Sequence, residues 1–170
     1  RRIEPDALFK VVARCPGVER QERVSRRVGG DCLLGGGMAF DQVAAVCAVR
    51  NVRRVVISSR TRARAETLAG RIRSELGVST VDVIDDASTA VAQAQIVCTV
   101  TTSAEPVFAV DAINLGTHIN ASGAYLPHMT EIPLELIAKS GFYVDRLSSA
   151  LGIHGVFIDG ASGRAIDWQV

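Results

Sequence analysis

Gly35-Gly36-Gly37-Met38-Ala39-Phe40 opens a stretch that passes through an amphipathic segment and ends in Val55-Val56-Ile57-Ser58-Ser59-Arg60-Thr61-Arg62. Glycine turn, helix and apolar strand stand in the order that a dinucleotide site requires. The turn lets backbone N–H groups approach a pyrophosphate at a helix N-terminus, and the tip of the next strand meets the adenosine ribose. Gly35, Gly37 and Met38 are therefore the expected pyrophosphate contacts. At the strand tip Ser59 carries no charge and is followed by Arg60, Thr61 and Arg62. An acid there would bind the ribose hydroxyls of NAD; cations and hydroxyls favour a 2′-phosphate. Ser59, Arg60 and Thr61 are the expected contacts, with NADP(H) preferred and NAD(H) the alternative cofactor. One departure stands out. Gly35 and Gly37 supply two fingerprint glycines, but the third position is Phe40, where Gly or Ala allows close helix–sheet packing. Its ring is expected to push the first helix outward and narrow the pyrophosphate slot.

Outward from this stretch, strands and helices alternate. Phe40, Val43, Ala44 and Cys47 mark the buried face of a helix over 38–49. Residues 54–59 form a strand with the continuous β-branched run of a sheet buried on both faces. Thr61 is the expected N-cap of a helix that buries Ala65, Leu68, Ala69, Ile72 and Leu76 and stops at Gly77. Further strands are expected at 32–34, 79–84, 95–100, 117–121 and 142–145, with helices at 86–94 and 134–138. This alternation predicts an α/β fold, a doubly wound parallel sheet of the Rossmann type. We assign it residues 28–151, after an unassigned N-terminal segment (1–27) and before a glycine-rich C-terminal segment (152–170). In the first segment Ala7, Leu8, Val11 and Val12 suit one short helix face; in the last, Val156-Phe157-Ile158 suits a strand.

The 170 residues are 48% hydrophobic and carry a net charge of +1, which fits one domain with a real core. No apolar run approaches the ~20 residues of a membrane span, and no signal peptide is recognisable. The chain opens on Arg1, as a fragment or a processed chain would. Between Arg50 and Arg73 lie eight arginines and one acid, Glu66. Without interleaved aromatics this reads as a solvated face beside a phosphate site and not as a nucleic-acid surface. Cys15, Cys32, Cys47 and Cys98 have no metal or C-x-x-C spacing. The last three lie in apolar runs and read as small buried hydrophobes in a reducing, cytoplasmic setting. No metal is expected.

Two further segments carry polar groups at strand ends, where doubly wound sheets bind ligands. Thr101, Thr102 and Ser103 follow the fourth strand; their hydroxyls serve either the nicotinamide ribose and diphosphate or ordinary turn chemistry. On the fifth strand His118 and Asn120 alternate in phase and face one side; His118 reads best as a hydrogen-bonded structural histidine. Gly123 at that strand's end allows close approach of a flat ring. Tyr125 then stands where a catalytic group could meet a nicotinamide, able to donate a hydrogen bond but, at an ordinary pKa near ~10, a poor base.

The runs Val46–Val55, Ser59-Arg60-Thr61, Ala65-Glu66, Thr101-Thr102-Ser103-x-Glu105-Pro106-Val107-Phe108 and Gly116-Thr117-His118-Ile119-Asn120-Ala121-x-Gly123-Ala124 resemble, in order and spacing, the ornithine cyclodeaminase/μ-crystallin family. The resemblance implies an NAD(P)-binding Rossmann domain joined to a second domain that forms a dimer. It implies hydride transfer at an amino-acid α-carbon or a cyclic imine, so the expected partner is a small amino acid or imine, and a homodimer stays open. The family glycine turn reads G-x-G-x-Q-A, and here its last two positions are Ala39 and Phe40. After Gly-Ala the family places an acid that acts on the substrate; this chain has Tyr125, and keeps Pro127 and Glu131. Two readings follow: a hydride-transferring relative, or a catalytically silent NADP(H)-binding or interaction protein.

Overall fold

Branching at Cβ makes Val55, Val56 and Ile57 poor helix formers that pack well on a pleated surface. In the computed structural model, which describes residues 11–14, 27–28, 31–34, 38–124, 126 and 128–144, they form the middle of a strand, β5 (Arg54–Ser58). In chain order the other strands are β1 (Val11–Arg14), β2 (Arg27–Val28), β3 (Asp31–Leu34), β4 (Asn51–Val52), β6 (Thr80–Val83), β7 (Ile96–Thr99), β8 (His118–Ala121) and β9 (Gly141–Val144). The helices are α1 (Ala39–Val49), α2 (Arg62–Leu76), α3 (Ala87–Val91) and α4 (Leu134–Ala138), with one 3₁₀ turn at Val110–Ala112.

Seven of these strands form one sheet in the order β6-β5-β3-β7-β8-β1-β9, and β2 pairs with β4 apart from it. From β6 to β8 all neighbours are parallel. The chain runs outward from β3 through β5 to β6, then returns to place β7 on the other flank of β3. This reversal is the switch point at which open α/β sheets bind ligands. Both faces are covered, as a parallel sheet requires. Val55, Ile57, Ile96 and Cys98 meet α1 and α2 on one side. Val56, Val97 and Ile119 meet α3, Phe108 and α4 on the other.

Three local expectations change. Val11 and Val12 belong to no helix: β1 lies antiparallel between β8 and β9, Val12 opposite Asn120 and Tyr143. Neighbouring strands with unfilled backbone groups decide this, and they are distant in sequence. The buried face of α1 is Ala39, Gln42, Val43 and Val46, while Phe40, Ala44 and Cys47 are only half-buried. The helix is thus rotated by about one residue, which seats the small Ala39 in the core. Phe40 packs on the edge of that core, under the guanidinium of Arg71 from α2, 3.5 Å from the ring centroid. The ring therefore lies toward α2, and the buried position against the sheet expected of it is taken by Ala39. The caps of α2 stand where expected. Thr61 is extended but makes no side-chain cap bond, and Gly77 takes a left-handed conformation with φ 68°. Asp86 caps α3 by accepting from the Thr89 N–H at 2.7 Å. The expected strand at 156–158 lies outside the described residues.

Candidate dinucleotide site

Parallel pairing brings the carboxyl ends of β5, β3, β7 and β8 to one edge of the sheet. Each sequence-predicted residue that the structure describes lies along it. Gly35, Gly37 and Tyr125 lie outside the described residues. Met38, directly before α1, is exposed.

At the end of β5 the polar groups divide into engaged and open ones. Ser58 is buried and its hydroxyl donates to the Asp85 carbonyl at 3.3 Å. The Ser59 hydroxyl accepts from the Thr61 N–H at 3.3 Å. Arg62 donates through Nη1 to Asp85 Oδ1 at 2.8 Å and lies 3.4 Å from Glu66 Oε1. Arg60 is exposed and makes no hydrogen bond or ion pair among the described residues. The two arginines that sequence alone leaves equivalent are thus different: one is held, the other is open. Asp85, which holds Arg62, carried no sequence signal, because its role depends on the β6–α3 connection reaching the start of α2. Other arginines of the basic run are also engaged, Arg54 with Asp82 at 2.7 Å and Arg71 with Glu75 at 2.8 Å.

Beyond β7, turn chemistry occupies two of the three predicted hydroxyls. Thr101 Oγ1 accepts from the Ser103 N–H at 3.3 Å, and Ser103 Oγ donates to the Glu105 carbonyl at 2.6 Å. Thr102 is exposed and unpaired among the described residues.

Beyond β8 the chain folds back on β7. The Ser122 N–H donates to the Thr99 carbonyl at 2.9 Å. The Ser122 hydroxyl is buried without a partner among the described residues. A Cβ on Gly123 would overlap the backbone N and O of Thr101 and the Oε1 of Glu131. This glycine is demanded by contact between two strand ends, a reason sequence reading did not supply. Glu131, only 2% exposed, bridges the same two ends. It accepts from the N–H groups of Thr101, Gly123 and Ala124 and from the Thr99 hydroxyl. The sequence marked it only through the family resemblance, as a glutamate kept a few residues after Pro127.

His118 and Asn120 do share a face. His118 Nε2 lies 3.2 Å from Asn120 Oδ1, and Asn120 Nδ2 donates to Cys98 Sγ at 3.7 Å. This is a structural chain within the sheet. Among the described residues no group of three His, Cys, Asp or Glu side chains could hold a metal ion. No described helix is long and apolar enough to cross a membrane.

Along this edge stand an open guanidinium at one end, a buried hydroxyl unpaired among the described residues at the other, and the switch point between them. The chain is similar to proteins already known. The delta(1)-pyrroline-2-carboxylate reductase of Bacillus cereus is 34% identical over 110 residues, 64% of this chain and 33% of that protein. The ketimine reductase mu-crystallin of Mus musculus is 32% identical over 132 residues, 76% of this chain and 41% of that protein. The chain thus spans well under half the length of either. The solved delta(1)-pyrroline-2-carboxylate reductase of Thermococcus litoralis, in complex with NADH and L-proline, is 27% identical. It superposes with a TM-score of 0.63 over 66% of this chain and 35% of that one. Residues 29–155 match the ornithine cyclodeaminase/mu-crystallin family, and the chain belongs to it.

Proposed function

We propose that this chain binds a nicotinamide dinucleotide across the carboxyl edge of its sheet, prefers NADP(H), and serves hydride transfer at an amino-acid α-carbon or a cyclic imine. The dinucleotide-binding unit is assigned to residues 28–151, with β1 from the preceding segment completing the sheet beside β8. The observation that carries the reading is the open Arg60 guanidinium at the tip of β5. A planar cation beside the Ser59 and Thr61 hydroxyls suits a phosphate monoester. The turn at Gly35 and Gly37, with Met38, takes the pyrophosphate, and Thr101, Thr102, Ser103 and Gly123 border the nicotinamide half. The Thermococcus litoralis relative, solved with NADH and L-proline, supports both the cofactor class and a small amino acid or imine as substrate.

When bound, the nicotinamide supplies a hydride to the imine carbon while the nitrogen takes up a proton. Tyr125 is assigned the substrate side, where its phenol donates a hydrogen bond. A second reading rests on that residue. Tyr125 stands where the family has an acid, which favours a protein that binds cofactor without turnover.

Titration of the wild type and of Arg60→Ala with NADPH and NADH tests the cofactor assignment. One charge-assisted bond to phosphate contributes about 1.5–3 kcal/mol, so Arg60→Ala should weaken NADPH roughly 10- to 100-fold and leave NADH nearly unchanged. An undiminished preference for NADPH in the variant defeats the assignment. NADPH oxidation with a cyclic imine, measured by absorbance, separates the two readings. Turnover that falls in Tyr125→Phe supports the enzyme; binding without turnover supports the silent protein.

A further inference from the structure

A carboxylate buried without a cation needs several donors to be tolerated. Glu131 has four, and no ion pair among the described residues. Oε1 accepts from the Thr101 N–H. Oε2 accepts from the Thr99 hydroxyl at 3.0 Å, the Gly123 N–H at 2.8 Å and the Ala124 N–H at 3.3 Å. The backbone around it adds two ties: the Val107 N–H donates to the Glu131 carbonyl at 3.0 Å, and the Thr130 N–H to the Ser103 carbonyl at 2.8 Å. Every donor to the carboxylate belongs to the end of β7 or the chain beyond β8. None belongs to β5, β6 or α2, which frame the other half of the crevice.

We propose that Glu131 is a positioning residue for the nicotinamide half of the site, its carboxylate clamping the chain after β7 to the chain after β8. The proposal rests on the dinucleotide reading above. The clamp sets the distance between Thr101 and Gly123, which already touch so closely that Gly123 admits no Cβ. It also seats Ser122, whose buried hydroxyl is unpaired among the described residues and adjoins the clamped Gly123. Only a carboxylate meets the geometry. Both oxygens face N–H donors, so the amide of a glutamine would set its NH₂ against an N–H in either orientation. An aspartate is one methylene too short to bridge both ends.

The test uses two ligands that share the adenosine half. NADH reaches both halves of the crevice; ADP-ribose lacks the nicotinamide. Calorimetric titration of the wild type, Glu131→Gln and the milder Thr99→Val should separate them, with melting curves taken in parallel. Thr99→Val removes a single donor at nearly constant shape and decides the matter if Glu131→Gln does not fold. For Glu131→Gln we expect NADH to bind about tenfold or more weakly and ADP-ribose to stay within about twofold of the wild type. For Thr99→Val we expect NADH to weaken about threefold, with ADP-ribose again unchanged. Equal loss of both ligands in step with a fallen melting temperature overturns the proposal, because the residue then only supports the fold. Unchanged binding of both also overturns it. Failure of the wild type to bind either ligand overturns the dinucleotide reading itself.

Discussion

The guanidinium of Arg71 stands 3.5 Å from the centroid of the Phe40 ring, bridging α2 to α1. The residue that replaces the third fingerprint glycine is thereby a packing element between two helices. Ala39, 1% exposed, fills the close approach to the core instead.

Phe40→Ala should therefore cost stability and spare the cofactor. A half-buried ring loses part of the ~3–5 kcal/mol of a fully buried one, so we expect about 1–2 kcal/mol in urea unfolding. NADH affinity should stay within about twofold. A large gain in affinity would show that the ring obstructs the pyrophosphate slot after all.

Arg62 and Arg60 should behave differently although both follow Ser59. Arg62 already meets Asp85 and Glu66, while Arg60 meets nothing among the described residues. Arg62→Ala should change the NADPH-to-NADH preference by less than about threefold, against tenfold or more for Arg60→Ala. Side-by-side titration of the two variants checks the ranking; equal losses would assign the phosphate to both.

Gly123→Ala is expected to be among the most damaging small substitutions in the chain. The added methyl overlaps backbone atoms of Thr101 that have no flexible side-chain end to yield. Overpacking of this kind costs about 1–3 kcal/mol and more when backbone must move. Denaturant unfolding reads it directly, and a cost near zero would mean that the two strand ends separate easily.

The cap of α3 should titrate. The Thr89 hydroxyl, and then the Thr89 N–H, hold the Asp86 carboxyl below its ordinary value. A carboxylate with a lowered folded pKa stabilises fully above the unfolded value, and that contribution is lost as pH falls through the folded value. Asp86→Ala should lower the melting temperature at neutral pH, and the gap from wild type should close below pH ~4. Melting curves across that range decide it; a gap independent of pH would remove the carboxylate from the cap.

Much of this was legible locally. Gly77 ends α2 because a left-handed residue is needed there, and Gly supplies one without strain. The strands of the parallel core and the phase of His118 with Asn120 followed from branching and alternation. The rotation of α1 was not legible, because Ala39 and Phe40 are both apolar and only the width of the gap at the sheet selects between them.

Sequence alone determined the alternation of strands and helices, the family, and the polar residues that follow β5 and β7, since all of these are written in neighbouring residues. Tertiary structure decided that Arg60 and not Arg62 is open, that β1 joins the sheet between β8 and β9, and that Glu131 ties two strand ends together. Those outcomes depend on partners far along the chain, Asp85 for Arg62 and Thr99 for Glu131. No local pattern encodes such a meeting; it exists only once the sheet has brought the ends together.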